Sequence, residues 1–540
     1  MAAVLRNGRV FAPVGQQPDF LQALVIKDGR ISHVGSNDDR EVHEAEAAGA
    51  TMIDLEQRVV IPSFIDGHVH MLMFGLSLRK VDLIACASLE EIREKIKLYA
   101  DSHPSEPRIL CRGWIQSSTN GQALASALDD LDPRPIYVEA FDLHSTWANT
   151  AAIAELGLTT APDPPGGTID RDENGRATGL LSEATHLMIV CPYLERVTPI
   201  EEKLRALEQA AASYTSAGYT GMVDMAMDES SWEILQAFRR QHSFPFHIAA
   251  HWLIPYSEDQ EVNFKHVDQA IAMWKEFNPK SSPELCITGI KVMCDGVVDG
   301  CTAALSRPYA RKPNPIDPIW PIDQLREVVQ RADQAGLQCA IHAIGDLAVK
   351  QAIDVLSQVG TPGRRHRIEH LELTSPEDAK RLGELGITAS VQPVHSDPVL
   401  FRAWPTLIGP ERCKRAFAYK DFADSGANIA FGTDSPTAAH FPLPNLYNAT
   451  TRRSAIEPEC TETVNAHFGL SLAAAVSAAT SGAAYSRHAD TWAGKLQAGM
   501  RADFAVLDMQ WTPEALLDAR VRETWFGGKK VYDIEAKVKS

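Results

Sequence analysis

No two of the nine cysteines stand in Cys-x-x-Cys spacing, and their number is odd, so neither a disulfide framework nor a zinc finger accounts for them. No run of 18 apolar residues is present, which leaves no candidate membrane span. Positive charge is short as well: 52 Lys and Arg stand against 70 Asp and Glu, a formal net charge of -18. Nucleic acids and anionic membranes require a basic surface, so neither is expected as a partner. Low-complexity tracts and blocks of like charge are missing too. The segment Met1–Arg9 lacks a basic-then-apolar leader pattern and reads as strand and turn. These absences point to an ordinary globular protein in a reducing, cytoplasmic setting. At 540 residues the chain is long enough for a large catalytic domain with a smaller companion.

What is present falls into two textures. Residues 1–60 alternate strands and turns: Val4–Phe11, Gln22–Lys27 turning at Asp28-Gly29, then Ile31–Val34. Residues 490–540 look the same, with Asp503–Leu507, and Val521–Phe526 turning at Gly527-Gly528 into Val531-Tyr532. Neither stretch carries enough apolar residues for its own core, so a small β-sandwich assembled from both chain termini is expected. Between them, residues 61–489 show short apolar runs followed by helical periodicity. The runs are Phe64–His70, Gly218–Met225, His247–Leu253, Ile287–Cys294, Gln338–Ala343, Arg367–Leu373, Ile387–Val394 and Asn428–Thr433. After Asp346, which stands near an N-cap, Ala348, Val349, Ala352, Ile353, Val355 and Leu356 recur at three and four. Eight such units predict an α/β protein built on a (β/α)₈ TIM-like barrel, with a doubly wound open sheet as the alternative. A long interruption, about residues 73–199, reads as an inserted lid subdomain. It carries Gly113-Trp114-Ile115-Gln116 and Pro165-Gly166-Gly167-Thr168.

In a parallel barrel the carboxyl ends of all strands share one face. The polar residues predicted there are His68 and His70, then Lys291, His342, His370 and Asp434. His68 and His70 lie two apart on a strand, so their imidazoles share a side. Three or four His with a carboxylate make a ligand set for Zn²⁺ or a similar first-row ion. Lys291 would be repelled by such an ion as an ammonium; neutral, or as a carbamate formed with CO₂, it fits. Taken one at a time the last four have plain alternatives: a core histidine at 342, an exposed strand end at 370, a helix cap or turn at 434, a solvated lysine at 291. Their joint placement at the ends of apolar runs, in barrel order, is what favours a metal centre.

With those residues in view, the sequence resembles the metal-dependent amidohydrolase superfamily. The resemblance is carried by Phe64-Ile65-Asp66-Gly67-His68-Val69-His70, His342 with Gly345-Asp346, Glu369-His370 and Gly432-Thr433-Asp434. Lys291-Val292-Met293-Cys294-Asp295-Gly296, His342-Ala343-Ile344-Gly345-Asp346 and the stretch from Gly166-Gly167-Thr168 to Thr178-Gly179 are similar to its amidohydrolase 3 branch, the YtcJ-like and N-substituted formamide deformylase-like proteins. The segment from Ala493-Gly494-Lys495-Leu496 to Leu507 is typical of it too. The resemblance implies a distorted barrel and a terminal β-sandwich. It also implies one or two divalent ions, zinc foremost, held by His68, His70, N6-carboxylated Lys291, His342, His370 and Asp434. The sequence departs from the branch at Ile115, which follows Trp114 in place of an acidic residue, and at Phe141-Asp142-Leu143-His144 in place of Asp-Gly-His. Both departures lie in the insertion and bear on the substrate.

The expected reaction is hydrolysis of a C–N bond, amide or formamide in type, in a small organic substrate by metal-activated water. Asp434 is expected to take the proton of that water and pass it to the leaving nitrogen, and His144 or the metal to stabilise the oxyanion. Trp114, Gln116, His395 and His440 are candidates for the substrate pocket. Alternatives on the same barrel are ester or lactone hydrolysis, non-oxidative decarboxylation and, less favoured because the ligand set is retained, a non-catalytic scaffold. A homodimer is the default expectation for a soluble enzyme of this kind.

Overall fold

The computed structural model describes residues 2–13, 18–141, 143–164, 167–242, 244–310 and 314–538. Pro165, Gly166 and Asp142, singled out above, lie outside them. All eight apolar runs become strands of one parallel sheet: β1 (Phe64–Val69), β2 (Tyr219–Met227), β3 (His247–Leu253), β4 (Leu285–Met293), β5 (Gln338–Ala343), β6 (Arg367–His370), β7 (Thr388–Val391) and β8 (Ile429–Phe431). They pair in sequence order from β1 to β8. Nearly every residue in them is buried, as expected where both faces of a parallel sheet are covered. Strands six to eight are shorter than predicted, because the chain leaves the ladder at the residues that serve the site. His370, Leu371 and Asp434 take φ values of 76°, 53° and 57°, outside the extended region.

The sheet is nearly a closed cylinder, and its seam is irregular. No ladder joins β1 to β8; instead the amides of Thr433 and Asp434 both donate to the His68 carbonyl, at 3.2 and 2.8 Å, and the His70 amide donates to the Ser435 carbonyl at 3.0 Å. The two strands come close enough that side chains are excluded. A Cβ on Gly67 would lie 2.6 Å from the Phe431 carbonyl oxygen, and one on Gly432 would lie 2.5 Å from His68. The open-sheet alternative is therefore excluded.

Helices alternate with the strands as the periodicity predicted. Helix Asp346–Val359 buries Ala348, Val349, Ala352, Ile353, Val355 and Leu356. Gly345, not Asp346, occupies its N-cap position. The Asp346 carboxylate instead accepts from the Ser306 amide at 2.9 Å, tying the helix start to the loop that follows β4.

The chain ends form two further sheets. Four strands, Arg30–Gly35, Ala23–Lys27, Ala2–Arg6 and Thr51–Asp54, make one; Lys529–Asp533, Arg520–Phe526, Phe504–Asp508, Val59–Pro62, Arg9–Phe11 and Phe20–Leu21 make the other. One apolar cluster draws on both ends of the chain, from Leu5, Leu24 and Ile31 to Met500, Phe504 and Trp525. The predicted strand Val4–Phe11 is two strands, because Asn7 at φ 58° and Gly8 turn the chain between them. No helix among the described residues is long and apolar enough to cross a membrane.

Residues 71–210 cluster as a compact unit of their own, apart from residues 1–70 and 211–540. The unit holds a six-stranded mixed sheet, ordered Gly167–Arg171, Ala177–Glu183, Ser145–Ala148, Ile136–Ala140, Ile109–Trp114 and Val81–Asp82. Its core packs helix Leu89–Ser102, through Ile92 and Ile96, against Ile109, Val138 and Trp147. Ser88 caps that helix by accepting from the Glu91 amide.

Candidate metal centre

His68 and His70 sit at the end of β1 and converge on Asp434, just past β8. The Nε2 atoms of His68 and His70 lie 3.3 and 3.1 Å from Asp434 Oδ1. His370, at the end of β6, brings its ring to 5.0 Å from that of His68 and 4.3 Å from that of His342. One ligand atom from each of His68, His370 and Asp434 falls within 4.8 Å of the others, and all three residues are buried. A second triad shares His370 and adds Glu372 and His395.

Burial and crowding set the charge state of these groups. Burial, then the adjacent His342 and His68, hold His370 well below the usual imidazole range; burial and Lys291 bring His342 to about 3. Both are therefore neutral at pH 7, the form in which imidazole binds a metal. Burial works to raise Asp434, but His68 and the hydrogen bonds from His68 and His70 hold it well below the ordinary carboxylate range. Lys291, at the end of β4, is 1% exposed, and burial lowers it to about 8 against the opposing pull of Glu369 and Asp434.

A divalent ion fits this donor set. The Nδ1 of His370 is buried and has no hydrogen-bond partner, a costly state for a polar atom that an ion relieves. The set itself, neutral imidazoles plus a carboxylate, is that of zinc and related ions. His68→Ala and His70→Ala are each expected to reduce bound divalent metal; elemental analysis of the purified proteins measures it, and wild-type content in both would remove them from the ligand set.

Residues that sequence reasoning passed over hold this set in place. Glu369, fully buried, lies 2.7 Å from His68 Nδ1, and Arg367 donates to the same carboxylate through Nε at 2.6 Å. Arg367 Nη2 also donates to the Gly67 carbonyl at 2.5 Å and to Ser390 Oγ at 2.6 Å, so one guanidinium spans β1, β6 and β7. A carboxylate on the far ring nitrogen fixes the tautomer of a ligating histidine. Asp66 does comparable work across the seam: it accepts from Thr433 N at 3.0 Å, Thr433 Oγ1 at 2.6 Å and Tyr214 Oη at 3.2 Å, while burial raises it to about 6. Asp295 accepts the amides of Ala304, Ile344 and Gly345 at 2.8–3.0 Å and so ties the loop after β4 to the one after β5. His342 Nε2 faces the Gly296 carbonyl at 3.4 Å beside it. The Asp66-Gly67-His68 and Lys291 to Asp295 motifs contain two of these residues. Asp66 meets Thr433, 367 positions away, and Glu369 meets His68, 301 away, whereas Asp295 binds amides 9 to 50 positions along the chain.

The pocket candidates divide. His395 joins the centre: its Nδ1 is 3.2 Å from Glu372 Oε1, its Nε2 is 3.8 Å from Asp434 Oδ2, and its ring lies parallel to His370 at 6.0 Å. His440 is buried, with Nε2 2.9 Å from Ser213 Oγ and its ring packed on Tyr214 and Phe441. Trp114, Gln116 and His144 belong to the inserted unit. Trp114 is a core residue there, 1% exposed, packed on Trp147 and donating to Thr119 Oγ1 at 3.3 Å. Gln116 Nε2 reaches Ser145 Oγ at 3.5 Å, and His144 Nδ1 lies 3.0 Å from Glu183 Oε2.

An eight-stranded parallel barrel with buried imidazoles and a carboxylate gathered at its carboxyl mouth defines a metal-binding enzyme scaffold. The family model described as "Amidohydrolase family" matches residues 51–532, and the chain belongs to that family. It is 29% identical to "Protein LONG AFTER FAR-RED 3" of Arabidopsis thaliana over 98% of this chain and 91% of that one. It is 24% identical to "N-substituted formamide deformylase" of Arthrobacter pascens, with 90% of each chain covered. Among solved structures, an uncharacterized metal-dependent hydrolase from Pyrococcus horikoshii OT3 superposes with a TM-score of 0.79 at 25% identity, over 95% of this chain and 99% of that one.

Proposed function

We propose that this protein is a metal-dependent hydrolase of a C–N bond, amide or formamide in type, in a small organic molecule. The observation that carries the reading is the position of Asp434, a buried, ionised carboxylate 3.1–3.3 Å from two imidazoles at the barrel mouth. The name of the Arthrobacter relative supports the bond type. His68, His70, His342, His370, Asp434 and Lys291 would hold one or two divalent ions, most naturally Zn²⁺. A bound divalent ion supplies Lewis acidity and makes water acidic enough to ionise near neutral pH.

The chain's own residues do the rest. Asp434 accepts the proton of the attacking water and returns it to the leaving nitrogen, so that the amine departs neutral. His395, against Glu372 and within 3.8 Å of Asp434, donates a hydrogen bond at the same mouth. Glu369 and Arg367 keep His68 in one orientation throughout. Lys291, neutral in part because it is buried, would add CO₂ through Nζ and release one proton, giving a carbamate that would offer oxygen donors to a bound ion. Lys291→Ala is expected to lose metal and activity, and both should return when a short carboxylic acid is supplied; activity equal to wild type without it excludes the carbamate. The nine free cysteines fit a reducing, cytoplasmic compartment.

Turnover by the zinc-loaded protein, measured against N-substituted formamides, acyl amides, esters, lactones and aromatic acids, tests the reading. Amide or formamide hydrolysis that chelation abolishes supports it. Turnover confined to esters or to decarboxylation overturns the bond type.

A further inference from the structure

The inserted unit carries a second group of donors that the barrel chemistry does not use. Glu139 and Thr146 stand directly opposite each other on antiparallel strands Ile136–Ala140 and Ser145–Ala148, so both side chains leave one face of the sheet. The segment His186–Val190 and the helix Cys191–Val197 supply the other two members. In an ordinary α-helix, residues five apart point roughly 140° away from each other. Here the turn is a π turn, closed by the Cys191 amide on the His186 carbonyl, and an i to i+5 closure brings the pair to one side. His186 Nε2 then lies 3.4 Å from Cys191 Sγ, and its Nδ1 lies 2.7 Å from Thr146 Oγ1. One ligand atom from each of Glu139, His186 and Cys191 falls within 4.8 Å of the others. A cavity of about 20 Å³ opens among Lys80, Glu139, Thr146, His186 and Cys191. That is room for a single ion or water and far too little for an organic substrate.

We infer that Glu139, His186 and Cys191 form a second metal site, built wholly within the inserted unit and suited to a thiophilic divalent ion such as Zn²⁺. Thiolate, imidazole and carboxylate are the ligand types of zinc, and three of them leave a fourth tetrahedral position for water. With Nδ1 protonated and donating to Thr146 Oγ1, the Nε2 lone pair would face Cys191, as outer partners arrange for ligating histidines. Lys80 Nζ rests 2.8 Å from Glu139 Oε2; a carboxylate has two oxygens, so the lysine and the ion share it. Loading exchanges the thiol proton for the ion, Cys–SH plus M²⁺ giving Cys–S–M⁺ and H⁺. Burial holds the Cys191 thiol up at about 12, so without an ion it stays protonated and unreactive. The site ties a helix to the sheet beneath it, and its function is to brace the unit.

Co²⁺ titration of the full-length protein tests this, because the barrel donors are nitrogen and oxygen only. A thiolate-to-cobalt charge-transfer band in the near ultraviolet is expected in the wild type. It should persist in the His68→Ala/His70→Ala double variant and disappear in Cys191→Ser. Absence of the band from the wild type, or a band undiminished in Cys191→Ser, overturns the proposal. Should Cys191→Ser fail to fold, X-ray absorption at the zinc edge of the wild-type protein decides: a sulfur neighbour supports the site, and its absence overturns it.

Discussion

Asp434→Asn is expected to fold normally and to lose about 10²–10⁴-fold in kcat, the usual worth of a positioned proton acceptor. The substitution is nearly isosteric, and it suits the backbone. Asp434 stands at φ 57°, a left-handed conformation that asparagine tolerates and most other residues do not. Asparagine keeps an oxygen for His68 and His70 but cannot carry a proton away from water. Asp434→Ala, by contrast, adds backbone strain to the loss of the carboxylate and should be less stable as well as inactive. The pair separates chemistry from structure: kcat near normal in Asp434→Asn, with its thermal midpoint unchanged, would show that the proton goes elsewhere.

The second large effect is expected at Arg367, a residue that touches no proposed substrate. Arg367→Met removes the guanidinium bound to Glu369 and leaves a fully buried carboxylate with His68 and the more distant Lys291 to answer it. Breaking a buried pair from one side costs about 3–5 kcal/mol. It also strips the donors that bridge the Gly67 carbonyl and Ser390. Chemical denaturation measures the cost. In Arg367→Met/Glu369→Gln the uncompensated charge is gone, so part of the stability should return while metal content stays low, because His68 has lost its carboxylate. A single variant as stable as wild type would mean that the pair does not hold the barrel together.

The barrel was legible because its signal is local. Each of β1 to β8 is a short apolar run set off by polar residues, and the histidines and Asp434 are the polar residues that end those runs. Period and position sufficed to gather His68, His70, His342, His370 and Asp434 at one mouth. The bracing residues were not legible for the opposite reason. Glu369 stands in the Glu369-His370 motif with nothing in the sequence to mark its partner, yet it is fully buried against His68, 301 residues away. Arg367 opens a predicted strand, and its buried bonds to Gly67 and Ser390 come from other strands that no local pattern announces. Glu372 falls past the end of β6, where the backbone has already turned left-handed at His370 and Leu371, so counting alternate residues gives no guide to its direction. The inserted unit lacked a repeating pattern against which to judge Trp114, whose burial against Trp147 depends on a mixed sheet that no period in the sequence announces.

The seam between β1 and β8 has a consequence for how the protein is made. His70 and Asp434 are 364 residues apart. A ribosome adding about 5–20 residues per second needs on the order of 20–70 seconds to pass from one to the other. Over an interval of that length the first two imidazoles exist with neither their carboxylate nor the strand that shields them. The nascent chain therefore cannot hold an ion in the native arrangement until Asp434 has been made, and β8, the last strand of the barrel, is the one that completes the site.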